Sequence, residues 1–424
     1  ATYTGSVSSN GATVTVSASG LQALTDGSSY TLTADVSDAA GNAAAQVTSS
    51  SFTVDTTAPS ISAIATSALS WGAVLNATED NSDGTVTVTT SGVEDGQTVT
   101  ITLNSATYTG SVSSNGATVT VSASGLQALT NGSSYTLTAD VSDAAGNAAA
   151  QVTSSSFTVD TTAPTVLYIT GAESNGTFKA GDVINISARL SEVITVTGTP
   201  QLTLNVGSTY DVDYSSGTTT EYLNFAYTVQ AGHTSADLDY ASTSALALNS
   251  GTITDAAGNA AVLTLASPGA TNSLSSFRDY VIDTTAPTIT GTTIASNNST
   301  ISVTLSEAVY DTNGGSGALE VGDFVLSISG GSATVAATPS SISSSGNVYT
   351  LGLTLSGTPN GSETLTVNPA SSSIYDAVGN AASTTQSNNT VTLNDQAAPS
   401  ISAIATSALS WGAVLNATED NSDG

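Results

Sequence analysis

Residues 84–103 read Gly84-Thr-Val-Thr-Val-Thr-Thr-Ser-Gly-Val-Glu-Asp-Gly-Gln-Thr-Val-Thr-Ile-Thr-Leu103. From Thr85 to Thr90, and again from Thr98 to Leu103, apolar and hydroxyl side chains alternate. Successive side chains of a strand point to opposite faces, and β-branched residues suit a pleated, half-buried surface. Both runs therefore predict antiparallel strands with one wet face. Glu94-Asp95-Gly96 between them is a turn signal. Outward from this hairpin the pattern repeats at Ala117–Ser122 and Tyr135–Asp140, with turns at Asn115-Gly116, Asn131-Gly132 and Gly146-Asn147. Gly125–Leu129 predicts a single helical turn, and no long amphipathic helix is present. About seven strands in about 105 residues reads as an immunoglobulin-like β-sandwich.

The sequence also repeats itself. Residues 1–59 recur at 106–164 with one difference, Asp26 against Asn131, and residues 398–424 copy 58–84 without change. An offset of 105 residues is too long for a solenoid turn and matches a whole domain. The expected fold class is all-β: tandem immunoglobulin-like sandwiches in an elongated array. Asp-Thr-Thr-Ala-Pro at 55–59, 160–164 and 283–287, with the variant Asp395-Gln-Ala-Ala-Pro399, marks the junctions. Proline cannot donate to a ladder and suits the start of an edge strand. The expected units are the C-terminal part of a repeat (1–57), a complete repeat (58–162), a longer one (163–285), a further sandwich (286–397) and an N-terminal stub (398–424). The first residue matches position 106 and the last matches position 84, so the sequence reads as a window on a longer array.

Lys and Arg total 3 against 33 Asp and Glu, a formal charge of −30. Such a surface repels nucleic acid and anionic membranes, both of which need cationic contacts. It attracts hard cations that prefer oxygen ligands, and it also serves solubility. With no Cys there is no disulfide and no thiolate metal site. No stretch approaches the ~20 apolar residues of a spanning helix.

Asp-Ala-Ala-Gly-Asn occurs at 38–42, 143–147 and 255–259, with Asp376-Ala-Val-Gly-Asn380 as the fourth case. Each precedes the last strand of its unit. Antiparallel alternation puts this loop, the loop after the second strand and the incoming linker at one pole. Three acids then converge at each junction: Asp55/Glu94/Asp143, Asp160/Glu192/Asp255 and Asp283/Glu307/Asp376, with Asn147, Asn259 and Asn380 beside them. Crowded carboxylates are unfavourable unless a cation joins them. Calcium takes 6–8 oxygens in flexible geometry, whereas magnesium demands a stricter octahedron. The alternative is that Asp and Asn around a Gly are ordinary turn residues. Recurrence at each junction, paired with a linker Asp, favours structural, inter-domain Ca2+. Glu79, Asp80 and Asp83 form another acidic group, expected at the opposite pole, either reaching the next junction near Asp160 or standing in solvent.

These stretches resemble the Ig-like repeats of giant bacterial surface adhesins of the calcium-dependent, type I-secreted kind. The likeness runs through Gly92–Leu103, Leu126-Gln-Ala-Leu129, Asp143–Asn147 and Asp160–Pro164. Val196–Leu204, Tyr227–Gly232 and Gly251–Asn259 carry it in the longer unit, and Val303-Thr-Leu-Ser-Glu-Ala-Val309 with Asp323-Phe-Val325 in the next. The resemblance implies an extracellular stalk at the bacterial surface that extends a tip domain, with calcium stiffening the linkers. Its partners are then neighbouring repeats of the same chain, with lateral self-association open and no nucleic acid or membrane insertion.

An enzyme is not expected. The single histidine, His233, sits next to Gly232 in a predicted turn, and no Gly-x-Ser-x-Gly elbow surrounds a serine. The alternatives are a subunit of an extracellular filament or sheath, or a carbohydrate- or surface-binding module built on Thr-x-Thr rows. Trp71 and Trp411 occupy equivalent positions and are expected to pack inward.

Overall fold

The computed structural model describes residues 1–401, 403–411 and 413. It is a series of β-sandwiches whose strands form where the period-two runs lie. Gly84–Ser91 alternates buried and outward residues along its length, with Val86 and Val88 inside and Thr87 and Thr89 outside. It pairs antiparallel with Gly116–Val121, Val119 opposite Val86, and with Ser60–Ile61. The facing sheet runs Ala106–Ser111, Thr98–Leu103, Leu137–Asp140, Val152–Thr153. The hairpin turn at Ser114-Asn115 uses φ of +53° and +63°, the twist that a two-residue hairpin loop requires. The single helical turn is Ala123–Gln127, capped by Ser122 Oγ on the Gly125 amide at 3.3 Å.

Three hydrophobic cores are separate in sequence and in space. The first holds Val86, Val99, Ile101, Leu137 and Phe157, with Trp71 edge-on to Phe157 at 5.4 Å between centroids. The second holds Ile184, Ile186, Leu204, Phe225, Tyr227 and Tyr280. The third holds Ile301, Val303, Phe324, Leu351 and Val367. Each is the inner face of two sheets, which is what buries the apolar half of every alternating strand.

In each of the first two sandwiches a short strand pairs parallel with the last strand: Val74–Leu75 with Phe157–Val159, and Gly176–Phe178 with Tyr280–Asp283. Both short strands end in a turn at the far pole, beside the linker that leaves the unit. Residues 1–57 repeat the local hairpins and the Ala18–Gln22 helical turn, but the segment lacks facing strands, and Leu21 and Leu32 stay 53% and 56% exposed. The stub expected at 398–424 falls in part on 402, 412 and 414–424, which lie outside the described residues. Its Thr406–Ala408 forms the same 3-10 turn as Thr66–Ala68. No helix among the described residues is long and apolar enough to cross a membrane.

Candidate metal centre

The loop Asp255-Ala-Ala-Gly-Asn259 is built by its own first and last residues. The Asp255 amide donates to the Asn259 carbonyl at 3.1 Å, while Asp255 Oδ1 accepts the Asn259 amide at 2.8 Å and Oδ2 accepts Asn259 Nδ2 at 2.7 Å. Gly258 closes the turn at φ +96°, with Gly146 at +95° and Gly379 at +94° in the sister loops. Only glycine adopts that backbone without strain. Asp376 does the same work, its Oδ1 accepting the amides of Val378, Gly379 and Asn380. Asp143, Asp255 and Asp376 are 4%, 4% and 1% exposed. The turn reading of these loops is therefore correct as far as it goes.

The glutamates reach the same place by a different device. Val183–Thr197 loses register against its neighbour between Arg189 and Ile194, and Glu192 lies in that break. A bulge re-aims a side chain in this way. Ser191 fixes the direction: its amide donates to the Thr165 carbonyl at 2.9 Å, and its Oγ accepts the Thr165 amide at 3.0 Å. Ser306 repeats the exchange with Thr288 at 2.8 and 3.0 Å. Leu-Ser-Glu at 190–192 and at 305–307 thus points Glu192 and Glu307 into their junctions.

Each linker aspartate spends one oxygen on a local turn. Asp160 Oδ1 accepts the Thr162 amide at 3.2 Å and Asp283 Oδ1 the Thr285 amide at 2.9 Å. The result is two triplets, Asp160/Glu192/Asp255 and Asp283/Glu307/Asp376, each with carboxylate oxygens mutually within 4.8 Å. Burial first, and then Asp255 and Asp160, pushes the Glu192 carboxyl above its usual range. Burial, Asp376 and Asp283 do the same to Glu307. Among the described residues the one ion pair is Arg189–Glu221 at 2.9 Å, and neither partner belongs to a triplet.

The first junction is different. Glu94 follows Ser91-Gly92-Val93 rather than a Leu-Ser pair, and its Oε2 accepts the Ala144 amide at 2.8 Å. Asp143 and Asn147 make the loop, and Asn147 Nδ2 reaches the Asp55 carbonyl at 3.2 Å. Burial raises the Asp143 pKa, but hydrogen bonds from Asn147, Gly146 and Ala145 together outweigh it and the net shift is downward. Asp55, Glu94 and Asp143 are not among the clustered triplets of the described residues.

The asparagines act as struts. Asn147, Asn259 and Asn380 each direct Nδ2 at two acceptors, the loop aspartate's Oδ2 and the linker aspartate's carbonyl. Both acceptors lack a proton, so the NH2 end must face them. The Oδ1 of Asn259 accepts the Ala77 amide at 2.8 Å, and Asn76 Nδ2 donates to Ala257 O at 3.0 Å. The sequence does not show this inter-sandwich contact, although a reach toward the junction near Asp160 is one of the two readings it leaves open for the 76–83 loop. Its acids do not gather there: Glu79 Oε2 accepts the Asn76 amide and Asp83 Oδ1 the Ala123 amide.

Among the described residues His233 has no serine partner. Its Nδ1 accepts from Tyr227 Oη at 2.8 Å and from the Gln230 amide at 3.3 Å, with Tyr210 edge-on at 4.7 Å. Trp71 is 3% exposed, in the core.

No protein-family model and no curated protein matches the chain. It is similar to solved structures of bacterial adhesins. One, described as a Ca2+-stabilised adhesin that helps an Antarctic bacterium reach out and bind ice, is 25% identical over 92% of this chain and 85% of that one, at a TM-score of 0.45. A second, of a 1.5-MDa bacterial ice-binding adhesin and concerned with host cell surface retention, is 25% identical over 60% of this chain and 77% of that one, at 0.34. A third is a bacterial immunoglobulin-like domain from the M. primoryensis ice-binding adhesin, 33% identical over 24% of this chain and 95% of that one, at 0.18.

Proposed function

We propose that this chain is a stalk segment of an extracellular bacterial surface adhesin, in which divalent cations, calcium above all, stiffen the joints between sandwiches. The units are 1–57, 58–162, 163–285, 286–397 and the stub from 398. The observation that carries the reading is the pair of triplets at successive joints, each drawing one carboxylate from the linker and two from the sandwich it enters.

The donor set fits a hard cation. Three carboxylates per joint, one of them almost fully buried, repel one another with no Lys or Arg paired to them, and a divalent ion reverses that repulsion. Calcium accepts such oxygens with flexible geometry and completes its shell with water. Asp160, Glu192 and Asp255 would hold one ion, and Asp283, Glu307 and Asp376 the other. A bound ion ties the linker to the sandwich it enters, so the joint loses bending freedom. Asn259 and Asn380 hold the linker carbonyl beside the site and position Asp160 and Asp283.

Small-angle scattering of the whole chain with calcium and with chelator tests this. The maximum dimension and its spread change on chelation, and proteolysis begins at 160–164 and 283–287. Identical scattering curves in both conditions sink the proposal.

A further inference from the structure

The two joints carry equivalent carboxylates but differ in the charges on the turn beside them. The turn after each short parallel strand projects a polar side chain onto the Asp-x-x-Gly-Asn loop of the next sandwich. At the first of these joints that side chain is Asn76. Its amide is capped by Glu79 Oε2 at 3.0 Å, and its Nδ2 lies 3.3 Å from where a Cβ would stand on Gly258. At the second it is Lys179. Its amide is capped by Asp182 Oδ2 at 2.9 Å, and its Nζ lies 2.6 Å from the Cβ position of Gly379. The strands and caps match, so Asn76 and Lys179 are equivalent positions.

The Lys179 ammonium is held there. Nζ donates to Asn313 Oδ1 of the following sandwich at 2.6 Å, and among the described residues no carboxylate pairs with it. Gly379, over which it lies, donates its own amide to Asp376 Oδ1 at 2.7 Å. The Lys179 ammonium thus lies against the loop that carries Asp376, one member of the Asp283/Glu307/Asp376 triplet. At the other joint Asn76 is neutral, and Asp80 on the same turn adds a negative charge.

We infer that Lys179 grades the two joints: the Asp160/Glu192/Asp255 centre takes a divalent cation first, and the Asp283/Glu307/Asp376 centre follows at higher concentration. This rests on the cation reading of the joints. Like charges repel across several ångström with partial screening, which sets the difference at roughly two- to tenfold in affinity. The stalk then stiffens in steps as calcium rises. The second joint keeps a cation-independent tie through Lys179 and Asn313.

Calcium titration of the full chain by calorimetry tests the grading. Glu192→Gln leaves the Asp283 centre to be read, and Glu307→Gln leaves the Asp160 centre. Neither glutamate holds a loop amide, so both variants keep their loops. Lys179→Asn installs the residue that the equivalent turn already carries. In the Glu192→Gln background it tightens calcium binding roughly two- to tenfold, and the gain shrinks with added salt. In the Glu307→Gln background it changes nothing. Unchanged or weaker binding in the first background overturns the grading while the cation reading stands. No saturable calcium binding in the unsubstituted chain removes both.

Discussion

Asn259 Nδ2 lies 2.9 Å from the main-chain oxygen of Asp160, so the last loop of one sandwich holds the linker that enters it. The same amide group holds Asp255 Oδ2 at 2.7 Å, and its oxygen takes the Ala77 amide of the preceding sandwich at 2.8 Å. One side chain, 2% exposed, joins three segments distant in sequence. These contacts tie the joint through protein groups.

Replacing Asn259 with Ala therefore leaves a carbonyl, a carboxylate oxygen and an amide without their partner. Buried polar groups that lose a partner cost about 1–3 kcal/mol each, less where water reaches them. The expected result is a local loss on the order of 2–4 kcal/mol, confined to the joint. Hydrogen exchange at the Ala77 amide accelerates, while core amides such as Ile184 keep their protection. Equal protection of Ala77 in both proteins would contradict the strut role.

Acidity acts on the joints through Glu192 and Glu307. Their carboxyls are raised in the folded chain, first by burial and then by neighbouring aspartates. A raised carboxyl favours the protonated form, so the stability it contributes is complete below the unfolded value and is lost as pH rises through the folded value. The cation-free joints therefore relax between acid and neutral pH. Calcium needs the deprotonated groups, so its affinity falls as pH drops through the same range. With chelator, cleavage at 160–164 is slower near pH 5 than near pH 7. Calcium protection shows the reverse order. Calcium affinity independent of pH would exclude both glutamates from the site.

Phe52 and Phe157 are the same residue of the repeat in two surroundings. Phe157 is 1% exposed between Trp71 and Tyr135, whereas Phe52 is 38% exposed against Tyr30. Phe157→Ala is expected to destabilise its sandwich by about 3–5 kcal/mol, the usual range for emptying a core aromatic site. Phe52→Ala costs about 1 kcal/mol or less, because little buried area is lost. Denaturant melts of the two variants decide this. Equal losses would mean that residues 1–57 form a packed core of their own.

The strands were legible because Thr-Val-Thr-Val alternation has one physical solution on a half-buried sheet, and Val86, Val88, Val99 and Ile101 all face inward. The helical turn was legible from Gly125 and Leu126, but it starts two residues earlier than the expected 125–129, at Ala123–Gln127, where Ser122 supplies its cap. The acids were gathered by counting positions from strand to loop, which locates a pole but not a side-chain direction. Glu94 follows Gly92-Val93, whereas Glu192 and Glu307 follow Leu-Ser pairs whose serines bond across to Thr165 and Thr288. That distinction was present in the letters, but its meaning depends on the Ser191–Thr165 exchange, a contact between strands. Asn76 and Lys179 were beyond such reading, because their partners belong to the next sandwich and are set by how successive units meet.

Glu94 gives the sharpest contrast with its counterparts. It spends Oε2 on the Ala144 amide, 2.8 Å away, whereas Glu192 and Glu307 hold no loop amide and face two other carboxylates. Glu94→Gln keeps an acceptor at the same place but exchanges a charge-assisted hydrogen bond for a neutral one, a loss of about 1 kcal/mol at an exposed site. It leaves calcium-dependent protection of 160–164 and 283–287 intact. Glu192→Gln and Glu307→Gln do the opposite. Each relieves repulsion in the cation-free chain and so preserves or raises its stability, yet abolishes calcium-dependent protection at its own linker alone. Protease mapping of the three variants, with calcium and with chelator, separates the roles. Loss of calcium protection at 160–164 or 283–287 in Glu94→Gln would show that the first joint governs the others. Retained protection at 160–164 in Glu192→Gln would show that Asp160 and Asp255 hold the ion without the glutamate.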